Sequence, residues 1–291
     1  MPDTTDLVDS RHRSVLVTGA TGNLGREVVD RLVGRARVRC LVREDPGPRP
    51  GVDWVVGDLT DPADVRAALT GINAAFLIWP LLDSAPAREI VRELVAVAPR
   101  IVYLSSTAID DDVSRQSDPI VQVHADMEAL LHNSGLRPVV LRSDTLASNA
   151  RGWIAQLRAG DEVSGPDIAR TAVVDERDVA DAVVAALLEP RDRLEHEPYL
   201  LTGPEALTRA DQVARLAAVL HRRLRFRALS ADLARSHMLA DGRPELLVDA
   251  LIAASVRRPE SDRITDHLER LTGRPPGTFT EWAAEHAAEF T

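Results

Sequence analysis

Gly19, Gly22 and Gly25 recur at three-residue intervals in Thr18-Gly19-Ala20-Thr21-Gly22-Asn23-Leu24-Gly25, between a β-branched run and an amphipathic stretch. A pyrophosphate needs a tight turn, unobstructed approach to the backbone, and helix N-terminal N–H groups aimed at it. Glycines at this spacing supply the first two and the following helix the third. The expected contacts are Gly19, Thr21, Gly22, Asn23, Leu24 and Gly25. A glycine pattern alone is weak evidence; it gains force here from its place between a strand and a helix. Arg43 closes the second predicted strand, in Leu41-Val42-Arg43. An acidic residue there accepts from ribose hydroxyls, whereas an arginine pairs with a 2′-phosphate. Arg43 therefore predicts NADP(H), although Glu44 and Asp45 follow and one could compete. Asp58-Leu59, after the third predicted strand, would flank the adenine, with Asp58 accepting from its amino group or serving only as a turn residue.

Positioning these groups takes a parallel sheet covered by helices, and residues 14–142 alternate in that manner. Strands are predicted at Ser14–Thr18, Val38–Val42, Val52–Val56, Ala74–Ile78, Arg100–Leu104 and Pro138–Leu141. Between them lie helices at Leu24–Val33, Pro62–Leu69, Ala85–Val97 and Val121–His132, the last stopped by Asn133-Ser134-Gly135. A helix at Glu176–Leu188 and a short strand at Tyr199–Leu201 follow. From Arg209 the chain reads as mostly helical, near 209–220, 244–256, 261–271 and 279–290, with Arg222–Arg227 an edge strand rather than an anion patch. The expected class is α/β: a Rossmann-type, doubly wound parallel sheet with a smaller, mainly helical C-terminal substrate or lid region. Its boundaries are read as a disordered tail at 1–12, a Rossmann NADP-binding core at 13–145, a substrate-facing segment at 146–170, a return to the core at 171–203, and the lid region at 204–291.

Composition narrows the chemistry. All 35 basic residues among the 291 are arginine, so lysine-dependent steps have no residue to carry them. That bias fits a GC-rich, actinobacterial source. Cys40 is the only cysteine, which rules out an intrachain disulfide. A net charge of −10 argues against nucleic acid or an anionic membrane as a partner. No apolar run approaches the roughly 18 residues of a membrane span, and the acidic start Met1–Ser10 is unlike a targeting peptide. A cytoplasmic setting and a small-molecule partner are expected. His196, His221, His237, His267 and His286 show no metal-ligand spacing, His12 lies in the tail and His132 beside a helix end, so no metal is expected.

The strings TGATGNLGREVV, VGDLTDP, AFLIWP, VYLSSTA, HADMEALLHNSGL, VVLRSDTLASN and VDERDVADAV, with YLLTGPEALT and LTGRPPGTFTEWAAEHAAEF, cover nearly the whole chain. Together they resemble the atypical short-chain dehydrogenases, most closely the NmrA-like branch with its quinone and azo reductase relatives. The resemblance implies NADP(H) at the carboxyl ends of the strands and a substrate above the nicotinamide. Where active classical members carry a Tyr-x-x-x-Lys pair, this chain has His124 and Glu128. The histidine is a competent proton donor near neutral pH, and a carboxylate one turn away could orient it; the pair could equally be an ordinary i, i+4 contact. Ser106 and Thr107 stand where a hydroxyl would bond the substrate carbonyl, unless they only turn the chain. Ile78, Trp79 and Pro80 replace an asparagine-containing loop, with Trp79 either walling the nicotinamide or packed as a loop aromatic.

The expected activity is hydride transfer from NADPH to a carbonyl or quinone of a hydrophobic, polycyclic aromatic molecule, as in antibiotic tailoring, without the usual acid pair. The alternatives are a non-enzymatic NADP(H)-sensing regulator of the NmrA type and a sugar-nucleotide epimerase relative, the latter disfavoured by the missing Tyr and Lys.

Overall fold

In the computed structural model of the chain, residues 13–97, 99–190, 194 and 198–291 are described. The expected tail at 1–12 and His196 lie outside them. The first half follows the alternation read from the sequence: β1 (Ser14–Thr18), α1 (Asn23–Leu32), β2 (Arg37–Val42), β3 (Val52–Val56), α2 (Pro62–Ala68), β4 (Ala74–Leu77) and α3 (Ala87–Val97). Next come β5 (Arg100–Ser106), α4 (Pro119–Asn133) and β6 (Val139–Ser143). The chain then runs through a 3₁₀ segment (Ala147–Trp153), α5 (Ile154–Ala159), β7 (Glu162–Pro166), α6 (Glu176–Leu188) and β8 (Tyr199–Leu201). It ends with α7 (Arg209–Leu220), β9 (Arg225–Leu229), α8 (Ala231–Ala240), α9 (Glu245–Arg257), α10 (His267–Thr272), α11 (Phe279–Glu285) and a 3₁₀ turn (Ala287–Phe290).

Seven strands form one sheet in the order β3-β2-β1-β4-β5-β6-β8. The β1–β2, β2–β3, β1–β4 and β4–β5 pairs are parallel, with Val17 opposite both Cys40 and Phe76. The central strands read as near-continuous apolar runs because helices bury both faces: β4 is buried at all four positions. Helix α1 sets Leu24, Val28, Val29 and Leu32 on its buried stripe, as their 3.6-residue period predicts. Strand order reverses between β1 and β4, so the carboxyl ends of these strands form a switch point, where open α/β sheets bind ligands.

The chain divides into two compact units. One takes residues up to Ser105 with Asp126–Leu141 and Val179–Tyr199; the other takes Ser106–Ala125, Arg142–Asp178 and Leu200–Thr291. The second has its own core, in which Trp153, Leu157, Val163, Leu216, Phe279, Trp282 and Phe290 pack together. Helix α5, strand β7 and helix α8 escape the sequence pattern. Strand β7 carries Gly165 and Pro166, which read as breakers; it tolerates them because it pairs only with β9, in parallel, as a two-stranded sheet. Helix α8 is N-capped by Ser230, whose side chain accepts from the Leu233 N–H. The helix expected at 261–271 is confined to His267–Thr272 and stops at Gly273 in the left-handed region (φ 76°). The expected sixth strand lies slightly later, at Val139–Ser143.

Candidate cofactor and substrate sites

The glycine loop joins β1 to α1. Gly19 has φ 66°, a conformation glycine adopts without strain, and its carbonyl accepts from the Gly22 N–H at 3.0 Å. A Cβ on Gly25 would stand 2.0 Å from the Gly19 oxygen, and one on Gly22 would stand 3.3 Å from it. Gly25 thus lets the helix close on the loop, while Gly22 stays exposed as the N-cap. The first intrahelical bond is donated by Arg26 to Gly22, so the N–H groups of Asn23, Leu24 and Gly25 have no partner from within the helix. The first turn of α1 holds no acidic residue to compete with an anion. Opposite the loop, Thr18 Oγ1 donates to the Ile78 carbonyl at 2.9 Å and accepts from the Ile78 N–H at 2.8 Å, fastening the ends of β1 and β4. Thr21 and Asn23 are exposed, whereas Leu24 is buried as the first residue of the helix stripe.

Arg43 is exposed just beyond β2, and among the described residues no hydrogen bond or ion pair engages its side chain. Of its acidic neighbours, Asp45 is occupied, accepting from the Gly47 N–H at 2.9 Å. Asp58 Oδ1 accepts from both the N–H and the hydroxyl of Thr60, at 2.8 and 2.9 Å. Those bonds hold its carboxyl below the usual range, with a smaller contribution from the Arg43 charge. Through these bonds the carboxylate orders its own turn, and the residue is exposed. Leu59 is half-buried beside it. Trp79 is 3% exposed, and its indole N–H donates to the Asp83 carbonyl at 3.0 Å; Pro80 next to it is exposed.

The groups around β5 separate by role. Ser105 Oγ donates to Glu128 Oε1 at 2.5 Å, and both side chains are buried. Ser106, the last residue of β5 rather than a residue beyond it, accepts at Oγ from the Ala108 N–H at 3.2 Å. No acceptor among the described residues takes its hydroxyl proton. Thr107 differs, because its hydroxyl donates to Asp144 Oδ2 at 3.1 Å. His124 is half-buried on α4 between the buried Val123 and Met127.

A cradle that any Cβ would fill, three helix-end N–H groups and an unengaged arginine together fit a dinucleotide with an additional phosphate. Residues 19–190, more than half of the chain, match the family described as NAD(P)H-binding. The chain belongs to that family. It is 34% identical over 95% of its length, and 99% of the relative's, to the (4-alkanoyl-5-oxo-2,5-dihydrofuran-3-yl)methyl phosphate reductase of Streptomyces griseus. It is 30% identical, with 95% and 99% coverage, to the NAD(P)H azoreductase of Xenophilus azovorans. Among solved structures, the NADPH complex of an Escherichia coli quinone oxidoreductase superposes with a TM-score of 0.74 at 22% identity, over 93% of this chain and 99% of that one. These matches establish the Rossmann-like fold and an NAD(P)H-dependent oxidoreductase.

In this NAD(P)H-binding oxidoreductase the VDERD string has a role the sequence did not disclose. Glu176, 1% exposed, accepts from Arg151 at 2.9 Å, from the Trp282 indole at 3.1 Å and from the Ser148 N–H at 3.1 Å. Its neighbour Asp178 accepts from the Gly277 N–H at 2.7 Å and pairs with Arg274 at 2.6 Å. Burial raises the Asp178 carboxyl above its ordinary value, and these two partners oppose that shift. The string therefore anchors the C-terminal segment. Asp144, behind Thr107, was likewise missed; its only signal was the string VVLRSDTLASN. Among the described residues no cluster of three potential ligands could hold a metal, and no helix is long and apolar enough to cross a membrane.

Proposed function

We propose that the chain is an NADPH-dependent reductase of electron-poor, conjugated acceptors: quinones, conjugated ketones and acyl furanones. When bound, the cofactor supplies the hydride. The protein has to hold the acceptor in attack geometry and stabilise the oxygen on which charge develops. The observation that carries the reading is Ser106, whose hydroxyl accepts from a backbone N–H while no acceptor among the described residues takes its own proton. It is the better donor to a substrate oxygen, because Thr107 already donates to Asp144. Conjugated acceptors spread the incoming charge and take their proton from solvent, so the absence of the Tyr and Lys pair is no obstacle. The named activities of the Streptomyces and Xenophilus relatives, on a furanone phosphate and on azo compounds, favour this class over a non-enzymatic regulator. A polycyclic aromatic ketone or quinone of antibiotic biosynthesis, reduced in the cytoplasm, is the finer reading within it.

The cofactor-binding residues proposed are Gly19, Thr21, Gly22, Asn23, Leu24, Gly25, Arg43, Asp58, Leu59, Ile78, Trp79 and Pro80, with residues 146–170 and 204–291 facing the substrate. Steady-state NADPH oxidation with menadione, an azo dye, an acylated furanone and a polycyclic quinone tests the proposal. Turnover of at least one acceptor, with NADPH preferred to NADH, is expected. Tight NADPH binding with no oxidation by any of them would return the regulator reading.

A further inference from the structure

The second unit carries an open cavity of about 340 Å³ between its 3₁₀ segment, the β7–β9 ribbon, α7 and α8. Arg209, the first residue of α7, lines it. This arginine is not needed to cap its helix, since Thr208 and Asp211 form a reciprocal capping box there. Its Nη1 donates to the Pro166 carbonyl at 2.9 Å, and a Cβ on Gly165 would stand only 3.0 Å from that nitrogen. The glycine makes room for the guanidinium. Four of its five N–H donors are left without a protein acceptor among the described residues, and no carboxylate there forms an ion pair with it.

Arg243 lines the same cavity, and no described hydrogen bond or ion pair engages its side chain either. The two cations sense each other. Arg209 is drawn down to about 10, first by burial; the nearby Asp167 charge opposes the shift, and the Arg243 charge adds a smaller lowering. Asp241 is the one carboxylate in the wall, and it is exposed, where solvent and salt screen it. His237 also lines the cavity, and Trp153, Leu229 and Met238 supply an apolar side. Asp167 acts on Arg209 through its charge but forms no ion pair with it, so among the described residues the guanidinium donors of Arg209 and Arg243 remain open to an anion accepting from both. Two positive charges match the dianion of a phosphate monoester better than the single charge of a carboxylate.

We propose that this cavity binds a phosphate monoester with an apolar substituent, its oxygens held by Arg209 and Arg243. The phosphate has two possible sources: the reducible substrate itself, in which case the site rests on the reductase reading above, or a separate small phosphate ester that modulates the enzyme.

Calorimetric titration of the full chain saturated with NADPH, so that the cofactor's own phosphate sites are filled, tests the site with phenyl phosphate against benzyl alcohol. Phenyl phosphate should bind and benzyl alcohol should not. Arg209→Met and, independently, Arg243→Gln should each weaken phenyl phosphate binding about tenfold or more, as loss of a charge-assisted contact does. NADPH affinity should be unchanged, and that also shows each variant to be folded. No binding by the unaltered protein, or equal binding by both folded variants, overturns the proposal. Kinetics separate the sources. A phosphorylated acceptor with a much lower KM than its dephosphorylated form, the difference vanishing in Arg209→Met, identifies the substrate's phosphate. Phenyl phosphate altering the reduction of neutral menadione without competing with it identifies a separate ligand. Binding retained in a protein that reduces no acceptor leaves the anion site standing and removes the reductase reading alone.

Discussion

Ser105 Oγ lies 2.5 Å from Glu128 Oε1, joining the end of β5 to α4 at the position where a Tyr-x-x-x-Lys enzyme would place its lysine. Glu128 is thus committed, at one oxygen, to a buried strand hydroxyl, and the pair is a structural tie. Ser105→Ala leaves the carboxylate short of a donor and should lower unfolding free energy by about 1.5–3 kcal/mol, the range for a hydrogen bond to a charged group. Urea denaturation reads this directly. Turnover by the folded protein should change less than about threefold, well under the 10²–10⁴ that general acid–base catalysis contributes; a larger fall would put Glu128 in the chemistry.

Arg43 should decide the cofactor. Its side chain is exposed and makes no hydrogen bond or ion pair among the described residues, so removing it should not destabilise the fold. Arg43→Ala should weaken NADPH binding by about 1.5–3 kcal/mol and leave NADH binding nearly unchanged, because only NADPH offers the second anionic partner. Fluorescence titration of both cofactors checks it. Equal affinities in the unaltered protein would remove the assignment.

Cys40 is fully buried on β2, and burial pushes its thiol up to about 12. It should resist thiol reagents in the native protein near neutral pH, since the thiolate is the reactive form. Labelling with a disulfide reagent should find no reactive group until denaturant is added and then one per chain. Prompt native labelling would mean that β2 opens readily.

The C-terminal segment should depend on Glu176. Its carboxylate joins Arg151, Trp282 and the backbone of Ser148, and Trp282 also stacks on Phe279 and His286 with centroids 5.5 and 4.6 Å apart. Glu176→Ala breaks a buried ion pair and should cost about 3–5 kcal/mol. Trp282→Phe keeps the stacking and loses one charge-assisted bond, so about 1.5–3 kcal/mol is expected. Thermal denaturation ranks the two; a larger loss in Trp282→Phe would show that packing, not the carboxylate, fixes the segment.

The cofactor half was legible because its rules are local. A left-handed Gly19 and a Gly25 pressed against the Gly19 carbonyl are demands on one residue by its near neighbours in the chain. The rest depended on distant partners. Glu176 is an ordinary acidic helix start until Trp282, more than a hundred residues later, is folded against it. Strand β7 exists only because β9 pairs with it, and Gly165 looks like a breaker until Arg209 lies beside it. The same blindness applied at β5, where Ser106 and Thr107 look alike in sequence and only the Asp144 carboxylate tells them apart.

That difference sets up the last prediction, the origin of the proton and the stabilisation of the substrate oxygen. If Ser106 donates to that oxygen, Ser106→Ala should lower kcat by on the order of 10², as loss of a single transition-state donor does. Thr107→Val should cost much less, since its proton already belongs to Asp144. His124→Phe separates the remaining possibilities. A histidine acid predicts a fall of about 10²–10⁴ in kcat and loss of the pH dependence near its own titration. A proton taken from solvent predicts less than about tenfold, with positioning carrying the rate. His124 lies half-buried between the buried Val123 and Met127, in keeping with a helix-face residue, so the smaller loss is expected. Rate profiles from pH 5 to 9, measured with NADPH affinity as the folding control, decide it. A large loss in His124→Phe with intact NADPH binding would make the histidine the acid and leave Ser106 to orient the substrate.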